Sequence, residues 1–312
     1  MMESKAKKIL IYKVRNFSEK FDDTFAFVRE NWKVMFKYLT YLILPVCLLQ
    51  AIALNGYMET AFNMSSISSG TSSDMTRVLQ SLGWSYGGLI LASIVGGVLL
   101  VSVVYGLMSI YDNREERLEG LTGSDFKPVL LKNLKRSGLA VLLFMAIMIL
   151  GIIAAAMLVV MLSPLIALPI VLVLMVMAIP MLLFMPIYLM EDISFMQALQ
   201  KALRLGFSTW WSTFALILVL GFIVSFIQGI FAIPYYIMVV VKTVLGLQGS
   251  GTEFFDSVGY SFIMYLFGVL QAYATYLLTS LMAAGLALQY GHASEKKDHV
   301  TMENNINRFE EL

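Results

Sequence analysis

The sequence predicts an all-α, polytopic membrane fold: six transmembrane helices in three hairpins, with cytoplasmic interfacial amphipathic helices and both termini on the cytoplasmic side. Three observations carry that expectation. Of the 312 residues, 59% are hydrophobic and only 14% are charged, which is outside the range of an ordinary soluble domain. Six apolar stretches, nearly free of charge, each reach the ~20 residues that a hydrocarbon crossing needs. The basic residues outside those stretches fall steeply to one side of the predicted membrane.

A crossing segment must satisfy its own backbone hydrogen bonds, which favours a helix for each stretch. The six crossings are expected at 34–53, 86–110, 138–161, 165–190, 211–231 and 261–288. Before the first, residues 1–33 form a cytoplasmic segment in which FDDTFAFVRENW puts Phe21, Phe25, Val28 and Trp32 on one helical face. The connection at 63–76, rich in Ser and Gly and close to Asp74 and Arg77, reads as a polar outer loop too small for an enzyme domain.

Between the second and third crossings, DFKPVLLKNLKRS gathers Phe126, Leu130 and Leu134, with Lys127, Lys132, Lys135 and Arg136 around them. The third and fourth crossings are separated only by Leu162, Ser163 and Pro164. A single helix of about fifty residues would measure ~75 Å against a hydrocarbon core of ~30 Å, so a turn is expected at Ser163-Pro164. Pro169, Pro180 and Pro186 mark the fourth crossing as kinked. ISFMQALQKALRLGFSTWW then puts Phe195, Leu199, Ala202 and Leu205 on one side.

After the fifth crossing, the apolar stretch 233–247 contains Pro234 and Lys242. It reads equally as a re-entrant segment, an interfacial segment or a helix extension. The 34–291 membrane domain is followed by a polar cytoplasmic tail, 292–312. The three amphipathic stretches suggest a weak repeat, each an interfacial helix leading into a hairpin.

Orientation follows from the cations. Twenty of the 22 Lys and Arg residues lie in the N-terminal stretch, the second and fourth connections and the tail, leaving Arg77 and Lys242 for the other side. The positive-inside rule then puts both termini in the cytoplasm. No apolar leader core is expected in the first thirty residues. A net charge of +1 with acids and bases interspersed offers no basic surface for nucleic acid.

Chemistry has few candidates. Cys47 is the one cysteine, and His292 and His299 are the two histidines. Neither a histidine-based triad nor a metal centre or other cofactor site is expected from this set. Asp112, Glu115, Glu116, Glu191 and Asp192 read as a solvated surface layer. The embedded polar residues are Gln50 and Asn55 in the first crossing, Gln228 in the fifth, and Gln271, Tyr273, Thr275, Tyr276 and Thr279 in the sixth. Gln271, Thr275 and Thr279 share one helical face. Gln228, Gln271, Tyr273, Thr275 and Thr279 are therefore the candidates for lining a cavity or for polar contacts between helices. Tyr235 and Tyr236 read as an outer aromatic belt, and Trp32, Trp210 and Trp211 as an inner one. Ala92 and Gly96, Ser93 and Gly97, and Gly151 and Ala155 are small residues at four-residue spacing, suited to close helix packing.

The segments VRNFSEKFDDTFAFVRENWKVMFKYLTYLILPV and EDISFMQALQKALRLGFSTWWSTF, with the six-helix pattern, resemble a group of bacterial membrane proteins of the Bacteroidetes type. That group is similar to the membrane domain of glycerophosphoryl diester phosphodiesterases. The resemblance implies a bacterial inner membrane with membrane lipids around the helices, while the repeated interfacial helices without an embedded ionisable centre point to an envelope protein as candidate partner. The phosphodiesterase's soluble domain and its metal-binding carboxylates and histidines have no counterpart here. The expected function is a noncatalytic scaffold or accessory factor for an envelope process. A small-molecule or lipid transporter is the alternative, and a membrane hydrolase the third reading.

Overall fold

A computed structural model of the chain describes residues 8–66, 72–161, 165, 167–247, 252–255 and 257–300. The helices among them are α1 (Phe17–Ser66), α2 (Ser72–Asn113), α3 (Gly123–Met161), α4 (Ala167–Met181), α5 (Phe184–Met190), α6 (Phe195–Ser208), α7 (Trp210–Leu247), α8 (Thr252–Phe255) and α9 (Val258–Asp298). Among the described residues six segments are long and apolar enough to cross a membrane, which supports an all-α, multi-pass membrane protein. The turn expected at Ser163-Pro164, the middle of the 63–76 loop and the tail beyond residue 300 lie outside the described residues.

The helices are much longer than a bilayer requires. α1 has 50 residues, roughly 75 Å at 1.5 Å per residue, more than twice the ~30 Å hydrocarbon thickness. α2, α3, α7 and α9 have 42, 39, 38 and 41 residues. Contacts divide the chain into two compact units. The first is Met1–Met35, Val101–Gly221 and Ser280–Leu312, and the second is Phe36–Leu100 and Phe222–Thr279.

The first unit has a mixed apolar and polar interior. Phe27 meets Tyr111 edge to face with ring centroids 5.1 Å apart. The Ser102 and Ser137 hydroxyls are 2.8 Å apart, and Asn133 donates to the Ser102 carbonyl at 3.4 Å. These bonds set α2 beside α3. The end of α2 (Val103, Val104, Tyr105, Leu107, Met108 and Tyr111) is buried. Within the expected second crossing, these residues thus face protein.

The expected interfacial helix forms the opening of α1, continuous with the apolar stretch. Its inward face is the one opposite Phe25 and Trp32. Lys20, Thr24, Phe27, Asn31 and Met35 are buried, whereas Phe25 and Trp32 are 42% and 52% exposed. The buried polar groups are matched locally: Asn31 donates to the Phe27 carbonyl at 2.9 Å and Thr24 to the Lys20 carbonyl at 2.5 Å. Lys20 donates to the Ser212 hydroxyl. The second amphipathic stretch is likewise the start of a long helix, α3, and turns Phe126, Asn133 and Ser137 inward.

The third stretch is a separate helix. Ser194 and Gln197 form a capping box at the start of α6, whose Ala198, Ala202, Leu205 and Gly206 are buried. The proline-rich fourth crossing divides into α4 and α5, with Leu183 N–H donating to the Pro180 carbonyl at 3.1 Å. Phe184 at the start of α5 meets Phe144 at 4.8 Å and Phe195 at 5.0 Å.

In the second unit, Tyr235, Val239, Phe255, Tyr260 and Met264 form a core, with Leu54, Met58, Met238 and Phe267 packed against it. Tyr235 is thus an interior residue, unlike its belt neighbour Tyr236, which is exposed. α7 passes through Pro234 to Leu247 without a break, so residues 233–247 extend the helix. Small residues bring helices together: a methyl on Gly88 would lie 3.4 Å from Ala53 Cβ, and one on Gly268 would lie 3.3 Å from Ala51 Cβ.

Candidate functional site

The second unit gathers the embedded polar side chains on α1, α2, α7 and α9. Gln50 accepts from the Tyr276 hydroxyl at 3.0 Å and donates to the Ser93 hydroxyl at 3.3 Å. Tyr276 also lies 3.4 Å from the Ala92 carbonyl. Its ring lies against Gly96, where an added Cβ would be 2.1 Å from the phenolic oxygen. Thr40 and Tyr273 share a hydroxyl–hydroxyl bond, and Phe36 meets the Tyr273 ring edge to face at 6.2 Å. Asn55 accepts from the Tyr235 hydroxyl at 3.1 Å.

The predicted site residues use most of their capacity on the helices. Gln228 donates across to the Thr275 carbonyl at 3.4 Å. Thr275 donates to the Gln271 carbonyl at 2.9 Å, and Thr279 to the Thr275 carbonyl at 2.7 Å. Backbone carbonyls thus absorb both hydroxyls of the α9 face, while Gln271 Oε1 is buried with no hydrogen-bond partner among the described residues. Gln50 and Tyr276 form a tighter polar junction than the Gln228–Gln271 pair. Gln50 was legible as an embedded amide, but its partner Tyr276 lies on a different helical face from Gln271.

An ionic cluster in the first unit departs from the expected surface layer. Glu191, at the end of α5, accepts from Lys201 at 2.6 Å and from the Tyr290 hydroxyl. Tyr290 and Tyr12 are 3.0 Å apart. Burial pushes the Tyr12 phenol up to about 12, so it is protonated at neutral pH. Asp298 pairs with Arg204 at 2.9 Å. Arg136 lies over the Tyr188 ring at 4.1 Å and donates to the Tyr188 and Ile193 carbonyls at 2.6 and 2.5 Å. It thereby caps the end of α5.

The N-terminal segment is tied to α9 beside this cluster. Arg15 N–H donates to His292 Nδ1 at 2.9 Å, while the Arg15 guanidinium pairs with Asp23 at 2.7 Å and bonds the Ile11 carbonyl at 2.9 Å. Lys201, Arg204, Arg136 and Arg15 each have a protein carboxylate or carbonyl as partner, so the cluster binds helices to one another. Among the described residues, no group of three or more His, Cys, Asp or Glu side chains is placed to hold a metal ion.

These features define a multi-pass helical membrane protein with a polar junction in one unit and an ion-paired cluster in the other. No protein-family model matches the chain, and neither a curated protein nor a solved structure matches it.

Proposed function

We propose that the chain is a noncatalytic inner-membrane scaffold that holds a membrane-spanning envelope protein against α3 and α4. One observation carries this reading: none of the most apolar window of α3 is buried, whereas the corresponding share is 22–28% in the other five spans. Lipid alone covers such a surface without penalty. Here, however, the surface also carries Gly151 at four-residue spacing from Ala155, and a methyl on Gly151 would meet nothing within 4 Å. Small residues on an uncovered helix permit a second helix to approach closely. The basic residue asymmetry supports cytoplasmic termini, and the short spacing between the third and fourth apolar stretches supports their pairing as one hairpin of three.

The transporter reading draws on the unpartnered Gln271 carbonyl. It is weakened by the proline break, since Pro180 is buried against Gly206 and serves packing. A photoreactive amino acid at residue 151 tests the scaffold in native membranes. The proposal predicts one reproducible protein adduct there and none from position 222 on α7, whose Phe222 is 73% exposed. Lipid adducts alone at both positions would count against it.

A further inference from the structure

The end of α2 and the first turns of α3 enclose a cleft of about 510 Å³ whose lining includes Ile110, Asn113, Arg114, Leu121, Asp125 and Val129. That volume lies within the ~300–1,000 Å³ typical of small-molecule sites. The Ser102–Ser137 bond locates the cleft relative to the apolar stretches. Ser137 immediately precedes the third stretch, and Asn113 is about eleven residues beyond Ser102, or roughly 16 Å along α2. Asn113, Arg114, Leu121 and Asp125 of its lining thus lie outside the apolar stretches 86–110 and 138–161.

Its charges are opposed. Arg114 Nη1 is buried with no hydrogen-bond partner among the described residues, and the Glu116 carboxylate is 3.8 Å from the other terminal nitrogen. A buried guanidinium nitrogen is costly unless an acceptor reaches it. Asp125 is held by Thr122, whose hydroxyl donates to Oδ2 at 2.7 Å and whose N–H donates to the same oxygen at 3.4 Å. The carboxylate disfavours a purely anionic ligand and favours one that also carries a cation. Ile110, Leu121 and Val129 supply an apolar wall.

We propose that this cleft binds an α-amino acid with an apolar side chain: the carboxylate on Arg114, the ammonium on Asp125 and the side chain against Ile110, Leu121 and Val129. This ligand matches both charges and the wall.

Calorimetric titration of the full-length protein in lipid nanodiscs tests the assignment with three probes. L-leucine carries both charges, 4-methylpentanoate lacks the ammonium and 3-methylbutylamine lacks the carboxylate. The proposal predicts that leucine binds and that each analogue binds about tenfold or more weakly, because each loses one charge-assisted bond. R114Q should weaken leucine by a similar factor, and D125N should bring leucine and 4-methylpentanoate within about twofold of each other. V129W thickens the apolar wall while keeping both charges and should weaken leucine binding about tenfold or more. Absence of leucine binding to the unmodified protein, equal binding of all three probes, or undiminished binding by V129W would overturn the proposal. The probe comparison on the unmodified protein decides the matter even if a substitution disturbs folding.

Discussion

Gly206 on α6 lies directly against Pro180 near the end of α4: a Cβ built on the glycine would stand 2.4 Å from the proline Cα. The contact is with backbone, which cannot rotate away as a side-chain tip does. The break between α4 and α5 is thus fitted to α6. G206A should destabilise the protein by about 1–3 kcal/mol, as overpacking does. Thermal unfolding in detergent measures it, and an unchanged midpoint would show that α4 and α6 do not meet in this way.

Gly291 makes the same kind of contact with the N-terminal segment, since its added Cβ would lie 2.1 Å from the Ile11 carbonyl oxygen. G291A should displace residues 8–16 from α9 and expose Lys13 and Arg15 to trypsin. A cost of about 1.4 kcal/mol would raise the open population roughly tenfold. Cleavage rates equal to those of the unmodified protein would contradict the docking.

His292 connects that docking to pH. Its Nδ1 accepts from Arg15 N–H, so this nitrogen must be unprotonated. The residue lies beyond the apolar 261–288 stretch. Burial first, and then the charges of Lys20, Lys296 and Arg15, push its imidazole down to about 4. An unfolded histidine titrates near ~6.5. The unfolded chain therefore binds more protons between these values, and stability is fully present above ~6.5 and falls as pH drops toward about 4. H292Q keeps an acceptor without the titration, so its unfolding midpoint should vary less from pH 4.5 to 7.5. Parallel curves for the two proteins would exclude His292 as the cause.

Tyr276 and Gln50 form the polar junction of the second unit. Y276F should cost about 1 kcal/mol, the usual net value of one hydrogen bond. G96A pushes into the same ring and should cost more. Because the two residues touch, their effects should be non-additive by about 0.5 kcal/mol or more in a double-mutant cycle. Strict additivity would place Tyr276 away from Gly96.

The apolar stretches and the helix at 195–208 were legible because each carries a strong local signal: uninterrupted hydropathy in the first case, and the 3.6-residue periodicity of Phe195, Leu199, Ala202 and Leu205 in the second. At the opening of α1 the sequence singled out one face and not the other. Phe21, Phe25, Val28 and Trp32 share a face, yet the opposite face packs inward through Lys20, Thr24 and Asn31, whose polar groups find partners within or beside the helix. Periodicity finds the two faces of a helix without telling which is covered. Pairings such as Glu191 with Tyr290, or Arg15 with His292, join residues about 100 and 277 positions apart. No local pattern encodes them. The hydropathy of residues 103–110 did not tell burial in protein from contact with lipid, because both interiors select the same side chains.

The scaffold is tested most directly by purification from native membranes at near-endogenous levels, with mass spectrometry of retained proteins and lipids, for the unmodified chain and for G151L. A Cβ at 151 meets nothing within 4 Å, and leucine in place of glycine should favour the helix by up to about 1 kcal/mol, so the fold should survive. The account predicts one reproducible membrane-spanning partner that is lost from G151L. A monomeric protein that retains no partner and moves solute in reconstituted vesicles would contradict it.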